Sequence, residues 1–204
     1  MARPRSNALD APLEDRIEEA FWELVQENAP ERISIVALSK QAHCNRGTFY
    51  YYFTDIYDLL DRLIEKNLPR TISRHVLSYM AGKESADDLE VAVREENDHI
   101  EKLGILLTRS ESNYCAEKLK ATLIDVWCLG TGTRLEDMNQ NDYLLFEFMA
   151  SGVLGMLAYT TKNGSYLNAK DIIMALAPEI PQAIIARVKR RQQEKQAAKK
   201  ATAC

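Results

Sequence analysis

The 204-residue sequence has no long apolar run and no secretory signal. A helix that spans a membrane needs ~18 consecutive apolar residues, and no stretch reaches that length. Arg3 and Arg5 are not followed by the apolar segment of a signal peptide. We therefore expect a cytoplasmic protein that does not act within a membrane.

Paired cysteines and catalytic motifs are also missing. Cys44, Cys115, Cys128 and Cys204 are scattered, with no C-x-x-C and no paired histidines nearby. This spacing argues against a disulfide framework and against a zinc site. We find no nucleophile–base pair, phosphate-binding loop or metal cluster, so we expect neither an enzyme nor a cofactor. Oxidant sensing by Cys115 or Cys128 is an alternative that would require exposed thiols of low pKa.

Net positive charge is confined to one segment. The net charge is −4, yet seven basic residues and one acidic residue follow Ile185, so the remainder carries about ten net negative charges. Any contact with DNA must then come from local basic patches, because the surface as a whole repels phosphates. The pattern of the basic tail 185–204 favours a solvated helix end, and contact with DNA or lipid is the alternative.

Apolar residues recur at helical spacing along most of the chain, and no strand pattern or internal repeat is present. The predicted fold class is therefore all-α. The spacing predicts a first helix from about Asp10 to Asn28 whose acidic face is solvated. Further helices are predicted over 34–42, 46–53, 55–68, 72–80, 85–109, 112–129, 142–162 and 168–176, and from 182 into the tail.

The two short helices at 34–53 have the length of a helix-turn-helix unit. Ser34 and Asn45 are good N-caps, and about three residues separate the helices. Phe49 and Phe53 lie four apart and share one face, which can be buried. Aromatic clusters are more often core than contact surface, but here the other face would present arginine, hydroxyls and tyrosines, which suit phosphates and base edges.

Residues 13–66 resemble the N-terminal DNA-binding domain of the tetracycline-repressor (TetR/AcrR) family. The resemblance is carried by Ile17, Ala20-Phe21, Leu24, Ser34-Ile35, Leu38-Ser39, Ala42, Asn45 to Phe53 and Leu59-Leu60. It implies a three-helix domain at 1–66 and a helical dimerisation and ligand-binding domain at 67–204. It also implies a homodimeric repressor without enzymatic activity that binds a palindromic operator and releases it when a small-molecule effector binds.

The predicted DNA-binding residues are Ser34, Arg46, Gly47, Thr48, Tyr50, Tyr51 and Tyr52. Arg46 reads a base or contacts a phosphate, with equal weight. Gly47 allows close approach of the backbone, or only relieves crowding. Thr48, Tyr51 and Tyr52 suit phosphates, and Tyr50 suits a base or a thymine methyl. Ser34 offers a backbone N–H to phosphate, although capping alone explains it.

The segment 142–162 is apolar nearly all round, which indicates burial on more than one side. Part of it resembles a late dimer-forming helix of the family. Dimerisation is the first interpretation and an intramolecular core the second. The predicted interface residues are Phe148, Gly152, Gly155, Met156 and Tyr159. The candidate effector-binding residues, each of which could instead be plain core or surface, are Tyr79, His99, Tyr114, Trp127, Phe146 and Met149.

The chain departs from the family pattern at two places. His43 stands in the turn where the family often has glycine, and a non-glycine residue at positive φ is costly. Thr54-Asp55-Ile56 offers no lysine where the family often has one that contacts phosphate. We expect weak backbone affinity with a modest salt slope, unless Arg3, Arg5 or Lys40 compensates. The alternative function is a protein-interaction module of the same fold with weak or lost DNA binding.

Overall fold

The structure, a computed structural model, describes residues 12–80, 83–131 and 134–164. These residues form nine α-helices and two short 3₁₀ helices and contain no strand. The all-α prediction is confirmed. The predicted cap at Asp10, the helix from Asn168 and the basic tail 185–204 lie outside the described residues.

The first four helices begin where the capping residues predict, except the first, which begins at Leu13 after Pro12 and has no side-chain cap. They are α1 (Leu13–Leu24), α2 (Ile35–Gln41), α3 (Arg46–Tyr52) and α4 (Ile56–Asn67), with a 3₁₀ helix at Pro30–Arg32 between α1 and α2. Ser34, Asn45 and Asp55 each accept a backbone N–H of the helix that follows. The predicted extent of α1 is wrong at its carboxyl end, because the backbone leaves the helix after Leu24 and continues as turns toward Pro30.

These four helices share one apolar core. Its fully buried members are Ile17, Phe21, Leu38, Phe49, Phe53, Leu59, Leu60, Leu63 and Ile64. Each such side chain contributes ~1.5–3 kcal/mol by leaving water. A helix as short as α3 is unstable alone, so burial of Phe49 and Phe53 holds it in place.

The acidic face of α1 is not simply solvated, which corrects that expectation. Glu18 accepts from Lys66 at 2.6 Å, and Asp15 lies 3.5 Å from the same ammonium. Glu14 lies 3.6 Å from Arg62. The carboxylates therefore pair with the two cations of α4, and they join α1 to α4 outside the apolar core.

The remaining helices are α5 (Arg70–Met80), α6 (Ala86–Glu95), α7 (Asn97–Arg109), α8 (Tyr114–Thr131) and α9 (Gln140–Asn163), with a 3₁₀ helix at Leu135–Asp137. The single helix predicted over 85–109 is two helices, because the backbone at Glu96 (φ −96°, ψ 8°) leaves the helical conformation. The break lets Leu103 and Leu106 of α7 join the main core, while Leu89 of α6 is buried apart from it. Ser85 with Asp88 three residues on predicts a capping box, and the structure confirms it at the start of α6.

Candidate nucleic-acid interface

Helix α3 is fixed at its start by a side-chain cap and along its inner face by two phenylalanines. Asn45 Oδ1 accepts from the backbone N–H of Thr48 at 2.8 Å. Phe49 and Phe53 are 0% and 1% exposed, and their ring centroids lie 5.5 Å apart. The division of the aromatic segment into an inner and an outer face is confirmed for these two rings.

The outer face of α3 presents one cation and two tyrosines to solvent. Tyr50 is 57% exposed and Tyr51 is 81% exposed, and Arg46 is exposed at the first turn. Within the described part of the chain, neither the guanidinium nor the two hydroxyls form a hydrogen bond or ion pair. Tyr52 differs, because it is half-buried and packs against the core, with its ring 5.0 Å from that of Tyr51. The hydrogen-bonding capacity of Arg46, Tyr50 and Tyr51 is thus available to a partner.

Two of the predicted contact residues also support the N-cap of α3. The Thr48 hydroxyl donates to Asn45 Oδ1 at 3.0 Å, so its proton is used within the cap and only its lone pairs face outward. A β-carbon added to exposed Gly47 would lie 3.1 Å from the same oxygen. Glycine therefore leaves room for the cap as well as for an approaching surface.

Helix α2 adds a second exposed strip beside α3. Ser34 Oγ accepts from Ala37 N at 3.1 Å, which is the capping role. Val36 is 58% exposed, and the exposed Lys40 has no partner among the described residues. Lys40 of α2 and Arg46 of α3 are thus exposed cations that phosphates could use.

The turn between α2 and α3 adopts the conformation that the sequence predicted to be costly. His43 has φ 50° and is the only non-glycine residue at positive φ within the described ranges. Arg16 reaches this turn from α1, and its Nη2 donates to Ala42 O at 2.6 Å and to His43 O at 3.1 Å. The sequence offered no signal for this contact, since Arg16 is a lone cation in an acidic helix.

Two carboxylates, rather than a cation, follow α3. Asp55 caps α4, and Asp58 Oδ2 accepts from the backbone N–H of Thr54 at 2.8 Å. That bond, together with Arg62, lowers the pKa of Asp58, so the group stays ionised. Arg62 is 3.2 Å from Asp58 and lies over the ring of Phe53 at 4.9 Å, so its charge is already paired. Near the carboxyl end of α3, Arg62 is therefore already paired, and Thr54-Asp55-Ile56 supplies no cation for a phosphate.

Polar contacts fix α8 against α4. Asp61 accepts from the hydroxyl of Tyr114 at 2.8 Å and from Lys118 Nζ at 2.9 Å. Burial, with the Asp61 hydrogen bond next, raises the pKa of Tyr114, so the phenol stays protonated and keeps donating. The ring of Tyr57 packs against that of Tyr114 at 4.7 Å. Tyr114, a candidate effector contact, is thus part of the join between these two helices.

A second join links the 3₁₀ helix at Pro30–Arg32 to the loop before α8. Glu31 Oε1 accepts from the hydroxyls of Ser110 and, at 2.6 Å, Ser112. Arg32 pairs with Glu111 at 2.5 Å. Burial raises the pKa of Glu31, but these hydroxyl and backbone hydrogen bonds outweigh it and lower the pKa below its usual value. Sequence patterns could not reveal these contacts, because about 80 residues separate the partners.

The other candidate effector residues lie in different places. Trp127 and Phe146 contact each other edge to face at 5.9 Å, and Met149 packs on the same core. His99 Nδ1 is 2.9 Å from Asn67 Oδ1 on α4. Tyr79 belongs to α5, but its side chain lies outside what is described. The structure therefore brings together Trp127 and Phe146, and it gives His99 and Tyr114 partners on α4.

The described cysteines have little of the character of oxidant sensors. Cys115 and Cys128 are buried and Cys44 is half-buried. Burial raises the pKa of Cys115 to about 12, and it also raises the pKa of Cys128. Thiols protonated at neutral pH are poor nucleophiles, so the arrangement disfavours the redox alternative at these two positions.

Helix α9 buries one face and leaves the opposite face open. Phe146, Ala150 and Leu154 are buried, whereas Phe148 is 73% exposed and Tyr159 is 57% exposed. Of the other predicted interface residues, Met156 is half-buried and the glycines are exposed. A β-carbon on Gly152 or Gly155 would meet nothing within 4 Å. By length and composition α9 could also cross a membrane, a test that core helices of soluble proteins pass as well, and 17% of its most apolar window is buried.

Comparison of the sequence with models of protein families gives no match, and comparison with curated proteins gives none either.

Proposed function

We propose that this protein is a DNA-binding transcriptional regulator of the TetR/AcrR type. It acts as a ligand-responsive homodimeric repressor that inserts α3 into the major groove of a palindromic operator. The observation that carries the proposal is the outer face of α3, where Arg46, Tyr50 and Tyr51 are exposed without partners in the described chain. Guanidinium and phenol groups are donors suited to base edges and phosphates.

The way in which α3 is held supports the same function. A reading element must be rigid, since a misplaced helix loses its register with the bases. Asn45 caps α3, and Phe49 and Phe53 anchor it in the core of the four N-terminal helices. Helix α2 contacts α3, and its exposed Lys40 can contact the DNA backbone.

A second copy of the chain is the proposed occupant of the open face of α9. The stripe of Leu144, Phe148, Gly152, Gly155 and Tyr159 is exposed and recurs at helical spacing. Large apolar surfaces rimmed by polar groups mark interaction sites, and small residues permit close approach of a partner helix. Homodimers match the two-fold symmetry of palindromic sites, which makes this occupant consistent with the proposed operator.

A protein-interaction module with weak DNA binding is the second candidate. It is favoured because three cations of the N-terminal helices already have partners within the chain. Arg62 and Lys66 pair with carboxylates, and Arg16 binds backbone carbonyls. Lys40 and Arg46 then remain near α3, so fewer counterions are released on binding DNA than in a strongly basic reader.

Selection of bound fragments from the source genome separates the two candidates. Enrichment of a palindrome whose half-sites lie about one helical turn apart (~34–36 Å) would support the repressor. No enrichment over random fragments would exclude it and favour the interaction module. The enriched sites also identify the regulated genes, which permits a search for the effector among small molecules that release the DNA.

A further inference from the structure

Arg16, the lone cation of α1, differs from the two cations of α4. Its neighbours Glu14, Asp15 and Glu18 pair with Arg62 and Lys66. Arg16 instead crosses to the turn before α3, where Nη2 donates to Ala42 O at 2.6 Å and His43 O at 3.1 Å. A group that is always charged therefore donates to two backbone carbonyls and not to a carboxylate.

The two carbonyls need such a donor. Ala42 is the C-cap of α2, and the last carbonyls of a helix lack intrahelical partners and carry partial negative charge. Among the described residues, no backbone N–H donates to either the Ala42 or the His43 carbonyl. The guanidinium satisfies both at once.

The same turn carries the backbone strain. His43 has φ 50°, and a side-chain-bearing residue stays in that region only where its surroundings hold it. The N–H groups of His43 and Cys44 donate to Lys40 O at 3.2 Å and Ser39 O at 2.9 Å, so the turn is bonded toward α2. Arg16 attaches it to α1, whose Ile17 and Ala20 are buried in the core. Only Asn45 lies between Cys44, the last residue of this turn, and Arg46, the first residue of α3.

We propose that Arg16 is a positioning residue for α3, the helix that would read the DNA bases. By holding the turn at Ala42 and His43 against α1, it fixes the direction in which α3 leaves α2. The proposal rests on the proposed function, because the position of α3 matters there for reading bases. It assigns to Arg16 a contribution to sequence discrimination without contact with DNA.

The test uses the full chain with Arg16→Met, which keeps the length of the stem and removes the donors. Amide hydrogen exchange at His43 and Cys44 should accelerate about tenfold, while exchange at Leu60 and Leu63 stays unchanged. The Kd for the selected operator should rise about tenfold, and the Kd for a non-operator duplex by less than about twofold. Arg94→Met, at an exposed ion pair on α6, is the matched control and should change neither.

Combining Arg16→Met with His43→Gly separates positioning from other roles. Glycine tolerates the positive φ without support, so the double variant should recover operator affinity to within about threefold of the unchanged protein. Equal loss on both duplexes would overturn the proposal, since it would indicate a phosphate contact. Unchanged exchange at His43 and Cys44 would overturn it as well.

Arg16→Lys guards against a variant that fails to fold. It retains charge, but an ammonium does not reproduce the planar fork of donors, so intermediate exchange and intermediate operator affinity are expected. Values equal to those of the unchanged protein would overturn the proposal. If the unchanged protein shows no operator preference, the proposed function fails, whereas the exchange measurement still tests the attachment of the turn.

Discussion

Gly104 of α7 and Thr161 of α9 lie so close that a β-carbon on Gly104 would meet the Thr161 hydroxyl oxygen at 2.1 Å. We predict that Gly104→Ala destabilises the protein by ~1–3 kcal/mol through overpacking. Helix propensity alone would give the opposite sign, because alanine is favoured over glycine by ~1 kcal/mol within a helix. Urea denaturation measures the change.

Thr161→Ala supplies the control for Gly104→Ala. It removes the overlapping oxygen and a methyl group 3.3 Å away, and it leaves Thr161 Cβ at 3.2 Å. In this background Gly104→Ala should cost less than about 1 kcal/mol, since most of the overlap is gone. An equal cost in both backgrounds would mean that the close approach of the two helices is not what limits the site.

His43→Gly should stabilise the protein by about 0.5–1 kcal/mol. Positive φ costs a residue with a side chain ~1–2 kcal/mol, which glycine avoids. The greater conformational freedom of glycine in the unfolded chain offsets part of this stabilisation. Thermal unfolding measures it. Lys83→Gly is the comparison, because Lys83 is exposed and lacks positive φ, and it should not stabilise.

Arg46→Ala should relax discrimination at one base pair per half-site, worth ~1–3 kcal/mol, if the guanidinium reads a base. Binding assays on operators substituted one position at a time measure this effect. A uniform loss across all sequences would instead assign Arg46 to a phosphate. Lys40→Ala serves as the comparison, because removing a phosphate contact lowers the salt slope by about 1 and leaves discrimination unchanged. The unchanged protein should have a modest slope, and one near ten would contradict the small number of available cations.

Phe148→Glu should convert the proposed dimer into a folded monomer. The side chain is 73% exposed in one chain, so the charge is tolerated there but would be desolvated against a second copy. Sedimentation at micromolar concentration distinguishes the two states. Val91→Glu, at a 52% exposed position on α6, is the control and should leave the oligomeric state unchanged. A monomer before any substitution would remove the basis for the dimer.

Glu31→Gln should destabilise the protein on the order of 1 kcal/mol at neutral pH, because charged hydrogen bonds from two serines become neutral ones and the site is partly screened. The pKa of Glu31 is lowered from 4.5 in the folded protein. Its stabilisation is therefore present above the unfolded pKa and is lost as pH falls through the folded pKa. Urea denaturation from pH 7 down to below 4.5 should show the difference from Gln shrinking. A constant difference would mean that ionisation of Glu31 is not involved.

Local chemistry in the sequence predicts the capped starts of several helices and the end of α9. Ser34, Asn45 and Ser85 cap as their side chains predict, and Asn163-Gly164 ends α9 with Gly164 at φ 52°. For α4 the sequence offers Thr54 or Asp55 as the cap, and Asp55 is the one that caps. Each case depends on groups within a few residues of one another, which is the range over which side chains compete with the backbone for hydrogen bonds. His43 has φ 50°, the conformation that the resemblance implies for this turn.

Contacts between distant segments explain what the sequence did not reveal. The apolar spacing over 85–109 continues across Glu96, so it contains no sign of the break that separates α6 from α7, whose Leu103 and Leu106 lie in the main core. The acidic residues of α1 looked solvated because their partners Arg62 and Lys66 lie about 48 residues away. The contacts of Arg16 and Glu31 could not be predicted for the same reason, since periodicity contains no information about which helix faces which loop.

Trp22 lies on α1 with the ammonium of Lys102, from α7, 5.4 Å from its ring. Trp127, the other of the two tryptophans, lies against Phe146. A cation over an indole ring interacts with its π-system, so movement of α7 relative to α1 should change the surroundings of Trp22 and with them its emission. The protein therefore carries two indole fluorophores, and a Trp127→Phe variant would report optically, without a label, on whether a small molecule alters the contact between its first and seventh helices.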